Sequence, residues 1–214
     1  MQKLIQPIVD IKADYTKGNR FTDFKALRQM PKIRLLGNSG LSFLVKASSG
    51  YWNMMDPTNG YTAINKHALE ELDLDNIAKR YFFESDMLIN LNIENATVID
   101  VDIPAKYGDE ESSLSITKTL FGFPPKLFKG FCKRIFLKYF IYDFNMLSLY
   151  LVLGLPMVLF GTLWGSYKWI EAIITGIEAS TGTVMLSVLP IILGTQFLLQ
   201  AIQIDMNNIP KKKK

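Results

Sequence analysis

Cys132 and His67 are the only cysteine and histidine among 214 residues. A disulfide framework, a Cys/His zinc cluster and a Cys–His catalytic dyad are therefore excluded from these residues, and each of the two reads as a surface or packing residue. Charge is missing in two long stretches, from Phe144 to Tyr167 and from Ala179 to Ile204. Each exceeds the roughly 20 residues with which a helix crosses about 30 Å of hydrocarbon. A pair of buried core helices is the other explanation, but a globular core rarely supplies two such runs with no charge on either face. Acidic residues are missing between Ser112 and Tyr142, where six Lys/Arg stand. LIQPIVDI near the start is broken by Pro7 and Asp10, so no secretory signal is expected there. No internal repeat is present, and low complexity is confined to Lys211–Lys214.

What is there falls into two materials. Residues 1 to 111 carry 13 Lys/Arg against 16 Asp/Glu, whereas residues 112 to 214 carry 11 against 4. By the positive-inside rule the basic segment before the first span and the lysine tail lie on the cytoplasmic side, leaving the hairpin loop outside. The expectation is an integral protein of the inner or plasma membrane with spans at about 144–167 and 181–204. Its polar part and both termini are cytoplasmic, ending in a basic tail over 207–214. Glycine and proline within the spans are common in membrane helices. Gln196, Gln200 and Gln203 recur at helical spacing and reach either the first span or the interface. Between the two materials, residues 116–142 read as a basic amphipathic helix. Leu127, Phe128, Phe131, Cys132, Ile135 and Phe136 form one side, and Lys126, Lys129, Lys133, Arg134 and Lys138 fill the other. Such a helix suits the headgroup layer, where each basic side chain contributes about 1 kcal/mol.

The polar part, residues 1–115, alternates between helix and strand, as α/β domains do. Helices are expected over 2–10, 34–50, 67–72 and 82–92, and strands over 61–64 and 96–103, the latter rich in β-branched residues. Those two strands would present unpaired edges, an association hazard.

Four elements carry chemistry. They are Gly18-Asn19-Arg20-Phe21; the turn Asp56-Pro57-Thr58-Asn59-Gly60-Tyr61; Phe83-Glu84-Ser85-Asp86-Met87-Leu88; and Lys106-Tyr107-Gly108 with Ser112-Ser113-Leu114-Ser115. Taken singly, each has a structural explanation. Asp56 before Pro57 starts turns well, and Glu84 and Asp86 suit a helix's first turn. In order and spacing, however, the four resemble family-2 glycosyltransferases, specifically the dolichyl-phosphate mannosyltransferase-like enzymes that transfer sugars to polyprenyl phosphate. Two membrane helices follow the elements in that family too. The resemblance implies the C-terminal half of a GT-A-like α/β domain, followed by the interfacial helix and a two-helix transmembrane hairpin. It further implies a nucleotide-sugar donor, a lipid-phosphate acceptor and contact with membrane lipid. No nucleic acid enters this reading.

The resemblance assigns roles to residues. Asp56 holds the sugar or the metal environment, and Asp86 and Glu84 are the acid, base or orienting groups. Lys17, Arg20 and Lys106 are anion contacts, with Asn59, Gly60 and Ser113 completing substrate binding. If the acceptor is a hydroxyl, Asp86 is the better base, because removing its proton is then part of the barrier. Lysine at 106 and serine at 113 depart from the family's arginine and lysine, and a lysine cannot make the bidentate fork to phosphate.

The family's N-terminal half, with its nucleotide-binding strands and Asp-x-Asp metal element, has no counterpart here. Magnesium or manganese is thus expected for a complete enzyme, on ligands outside this chain. Asp73-Leu74-Asp75 reads instead as turn chemistry, and Asp100-Val101-Asp102 as a strand whose carboxylates share a face. Three functional expectations follow: a fragment inactive alone, one subunit of a split transferase completed by a separate N-terminal half or by oligomerisation, or a non-catalytic membrane scaffold.

Overall fold

The computed structural model describes residues 2–20, 32–104 and 116–212. Lys106, Ser113 and the rest of the Tyr107–Ser115 element lie outside them. The chain divides into two compact units, one of Met1–Lys138 with Ile209–Lys214, the other of Tyr139–Asn208.

The first unit is α/β, with helices α1 (Gln2–Val9), α2 (Lys32–Ser49), α3 (Lys66–Glu71), α4 (Phe83–Ile93) and α5 (Ile116–Phe136), and strands β1 (Tyr15–Asn19), β2 (Thr62–Ile64) and β3 (Val98–Asp102). The sheet order is β2-β1-β3. β1 runs antiparallel to β2, with Lys17 opposite Thr62, and parallel to β3, with Lys17 opposite Asp100 and Asn19 opposite Asp102. Both expected strands pair with β1 along one side and, among the described residues, are the outer strands of the sheet, so each keeps one edge without a strand partner. That central strand is not advertised by its sequence, because after Tyr15 and Thr16 the segment continues with Lys17, Gly18 and Asn19, which are poor strand formers. All five of its residues are buried.

Tyr51, Met54, Leu88, Leu91, Val98 and Leu127 form the core with Tyr15. Tyr51 donates its hydroxyl to the Ala96 carbonyl at 2.6 Å, joining the end of α2 to the approach to β3. Ile209 also packs on this core and Pro210 is buried. Lys212 Nζ reaches Asp14 Oδ1 at 2.5 Å, while Asp14 Oδ2 accepts the Thr97 amide at 2.9 Å. Residues 209–212 of the expected basic tail are therefore built into the α/β unit.

Helix α5 belongs to the same unit and packs on α2 and α4. Two residues read from sequence as part of its outward basic face turn inward. Arg134 is fully buried, donating Nε to the Ser48 carbonyl at 2.8 Å and Nη2 to the Ala47 carbonyl at 3.0 Å. Lys138, also buried, donates to Asn92 Oδ1 at 2.8 Å. The physical reason is shared: the last carbonyls of α2 and α4 lack intrahelical donors, and a cation there also meets the negative helix end. Gly50 closes α2 with φ +76°, and a Cβ on it would lie 2.6 Å from Arg134 Nη1, so the guanidinium fits only against glycine. Arg134→Ala is expected to lower the stability of this unit by about 2–3 kcal/mol, the scale of hydrogen bonds to a charged donor. Thermal unfolding of the purified full chain would measure it, with Lys129→Ala on the exposed face as the neutral comparison.

The second unit is a helical hairpin of α6 (Met146–Thr175) and α7 (Thr181–Asn207). Asn145 caps α6 in a reciprocal pair with Ser148, and Gly176 ends it at φ +69°. Ser180 caps α7 by accepting from the Thr183 amide. Both helices are long and apolar enough to cross a membrane. Their outward leucines, phenylalanines and isoleucines are exposed, as at Leu163 and Ile192. Small residues let the two backbones touch, for a Cβ on Gly161 would lie 2.6 Å from the Ser187 carbonyl. Tyr139 donates to Asp205 at 2.8 Å near the hairpin's open end. Of the three glutamines singled out by spacing, Gln196 and Gln203 are exposed and Gln200 is half-buried.

Candidate functional site

The Asp56 turn sits between α2 and β2, tied to the sheet on both sides. Asn59 Nδ2 donates to the Gly18 carbonyl at 2.6 Å, and Asn59 Oδ1 accepts the Tyr61 amide at 3.1 Å. On the other side Asp100 Oδ2 accepts the Met55 amide at 2.5 Å, fixing the residue immediately before Asp56 to β3. Asn59 thus orients the turn, and Asp100 is a contributor that sequence reasoning passed over as a strand residue. The contact follows from the strand register, which sets Asp100 on the same side of the sheet as Lys17 and is not readable from the sequence.

Asp56 is completely buried. Arg20, one residue past the end of β1, forks onto it with Nε to Oδ2 at 2.8 Å and Nη2 to Oδ1 at 3.2 Å. Thr58 Oγ1 adds a contact to Oδ1 at 3.3 Å. Arg20, expected as an anion contact, is therefore engaged by the turn's own carboxylate. Such a fork sets both position and angle of the carboxylate, which a single lysine bond would not.

Glu84 and Asp86 part company. Glu84, in the first turn of α4, brings Oε1 to within 3.6 Å of the place a Gly60 Cβ would occupy, and its charge acts on Lys17 and Tyr15. Asp86 points elsewhere, accepting the Ala78 amide at 2.7 Å and holding the segment ahead of the helix. Residues two apart on a helix lie about 200° apart around its axis, so the two carboxylates cannot share one site. Asp86, expected as the base, thus stands apart from Glu84 and is bonded to the Ala78 amide in this structure. Gly60 is exposed, and a Cβ there would meet Glu84 only at ordinary contact distance.

Lys17 lies at the centre of this arrangement. It is fully buried, and burial pushes its pKa down to about 8 against the opposing pull of Glu84, Asp56 and Asp100. Asp100 is pushed up by burial first, partly offset by the Met55 bond, with Asp56 adding to the rise. The cluster does not fit a divalent cation: Arg20 occupies Asp56, and Lys17 faces Asp100. Among the described residues no three His, Cys, Asp or Glu side chains are placed to hold a metal ion. Asp73 Oδ2 accepts from Asn76 at 2.6 Å as turn chemistry, and Asp102 accepts from Asn19 at 3.3 Å. A cavity of about 270 Å³ lies at the opposite end of β1, lined by Asp14, Asn65, His67, Glu71, Glu94 and Lys212. None of the described residues expected to bind substrate borders it.

Two curated proteins are similar to this chain. Over 121 residues, 56% of this chain and 47% of the relative, it is 34% identical to the UDP-N-acetylglucosamine–dolichyl-phosphate N-acetylglucosaminyltransferase of Methanococcus voltae. Over 136 residues, 64% of this chain and 55% of the relative, it is 27% identical to an uncharacterized protein of Methanocaldococcus jannaschii. The chain spans about half the length of these curated relatives. No protein-family model and no solved structure matches it. The resemblance to polyprenyl-phosphate glycosyltransferases read from the four sequence elements is supported by the first relative.

Proposed function

We propose that this chain is the sugar-handling and acceptor-handling half of a membrane-bound glycosyltransferase of GT-A-like fold. It acts with a half that binds the nucleotide-sugar donor and its divalent metal, and the acceptor is polyprenyl phosphate or a related membrane lipid. The similarity to the dolichyl-phosphate N-acetylglucosaminyltransferase carries this reading. The geometry supports it, because Asp56, Glu84, Lys17 and Asp100 converge from the turn, α4, β1 and β3 on one place.

The residues present orient more than they react. Arg20 fixes Asp56, Asn59 fixes the turn, and Glu84 and the second oxygen of Asp100 are the carboxylate groups left to meet a ligand. Transfer from a nucleotide sugar develops charge on the leaving diphosphate, which a divalent cation on the donor-binding half stabilises. A lipid phosphate is already ionised and needs no strong base, so Glu84 serves there as an orienting group. The hairpin spans the membrane with the α/β unit cytoplasmic. Helix α5 rests on the headgroups through exposed Phe128 and Phe136, flanked by Lys126, Lys129 and Lys133.

Membranes carrying this chain alone are expected to form no lipid-linked sugar from UDP-N-acetylglucosamine and polyprenyl phosphate. Co-expression with a donor-binding half is expected to restore transfer. Turnover by the purified chain alone would overturn the division of labour, and failure of the two halves to associate would count against the pairing. One observation favours a second reading, a non-catalytic scaffold: both Asp56 oxygens are already bonded within the chain. On that reading Glu84→Gln leaves the restored activity unchanged.

A further inference from the structure

Lys17 is ill placed for the anion contact assigned to it. Its Nζ is buried with no hydrogen-bond partner, although an ammonium carries three donors. Its register partner Asp100 holds the Met55 amide through Oδ2, while Oδ1 is likewise buried and unpartnered. A donor without an acceptor and an acceptor without a donor thus stand on adjacent strands. The charged groups around Lys17 are Asp56, Glu84, Asp100 and Arg20. Arg20 is bonded to Asp56, so three carboxylates face two cations. A phosphate brought here would gain one ammonium and meet the repulsion of Glu84 and Asp100, the two carboxylates that Arg20 does not neutralise. A hydroxyl meets no such conflict, since one oxygen accepts from the ammonium and donates its hydrogen to the carboxylate.

We propose that Lys17 and Asp100 form a subsite for a sugar hydroxyl beside the Asp56 turn, with Lys17 Nζ donating to the hydroxyl oxygen and Asp100 Oδ1 accepting the hydrogen bond that the hydroxyl donates. This rests on the glycosyltransferase reading, but it moves Lys17 from the phosphate side of the site to the sugar side and adds Asp100. Both atoms are shielded, so the sugar reaches them by displacing a covering group. Leaving either partner out strands the other in a buried place, which makes the pair selective for a hydroxyl at that position.

The test uses the full chain in nanodiscs, labelled with ¹⁵N at the lysine side chains, with the Lys17 ammonium signal identified by its loss in Lys17→Arg. N-acetylglucosamine is expected to shift this signal saturably, and inorganic phosphate is expected to leave it in place. Asp100→Asn keeps a carbonyl for the Met55 amide but turns a donor toward Lys17, and should weaken the sugar response at least about tenfold. As a check independent of that variant's folding, Lys17→Met should lose the rise in melting temperature that N-acetylglucosamine gives the unaltered chain. A signal moved by phosphate and not by sugar would overturn the proposal, and so would one moved by neither, which would mark an internal water only. Restored transfer with an unchanged donor KM in Lys17→Met would sink this inference and leave the proposed function standing. A sugar-shifted Lys17 signal without transfer by the paired halves would do the reverse.

Discussion

Arg20→Ala is expected to destabilise the sheet end of the α/β unit by about 3–5 kcal/mol, the penalty for leaving one member of a buried ion pair uncompensated. Asp56→Ala should cost less, and the difference is the informative part. The Asp56 side chain is 0% exposed and the Arg20 side chain 36% exposed. Removing the arginine leaves a buried carboxylate with only the residue-20 amide and Thr58 Oγ1 bonded to it; removing the carboxylate leaves a guanidinium that can swing outward and rehydrate. The double variant should recover much of the loss, because it removes both charges together. Hydrogen exchange at the β1 and β3 amides measures the effect where it arises and does not depend on unfolding the apolar hairpin. Additive losses in the double variant would mean that the fork contributes little and that Asp56 is held by its turn alone, and equal losses in the two single variants would overturn the asymmetry.

The same pair shows how far sequence reaches. Gly18-Asn19-Arg20 and the Asp56 turn were each conspicuous by resemblance, yet nothing in their spacing says that they bond to each other. That contact is made by a parallel strand pair and a buried turn, both products of tertiary packing. Helices were legible because apolar periodicity and capping residues are local, and the hairpin because its length and lack of charge are local. Strand β1 was not legible: its lysine, glycine and asparagine are poor strand formers, and its burial is imposed by the neighbours on either side. The inward turn of Arg134 and Lys138 was hidden for a related reason. A helical wheel separates basic from apolar faces, but it does not reveal that two other helices end against the basic one. The division between Glu84 and Asp86 was readable in principle, since the angle between positions two apart follows from helix geometry alone.

Lys17→Met should make the α/β unit more stable at pH 7, although it removes the best-placed cation of the site. The folded-state pKa of Lys17 is about 8, below its ordinary 10.5. Above 10.5 the lysine is neutral folded and unfolded, and it costs nothing. Between 10.5 and 8 the unfolded chain keeps a proton that the folded chain gives up, so stability is lost as pH falls through this window. Below 8 the ammonium is charged in both states and the fold carries the whole penalty, on the order of 3 kcal/mol. Methionine removes that penalty and its pH dependence together. The gain at pH 7 should be smaller than the full figure, because Asp100 and Glu84 then lose a favourable neighbour. Exchange rates of β1 amides at pH 7 and pH 10 separate the terms: the variant should be protected relative to the unaltered chain at the lower pH, with the advantage shrinking at the higher. Equal destabilisation at both would show that the carboxylates fully compensate the ammonium. A gain in stability from this substitution would show that packing alone favours methionine at position 17, as expected if the lysine serves the proposed hydroxyl subsite.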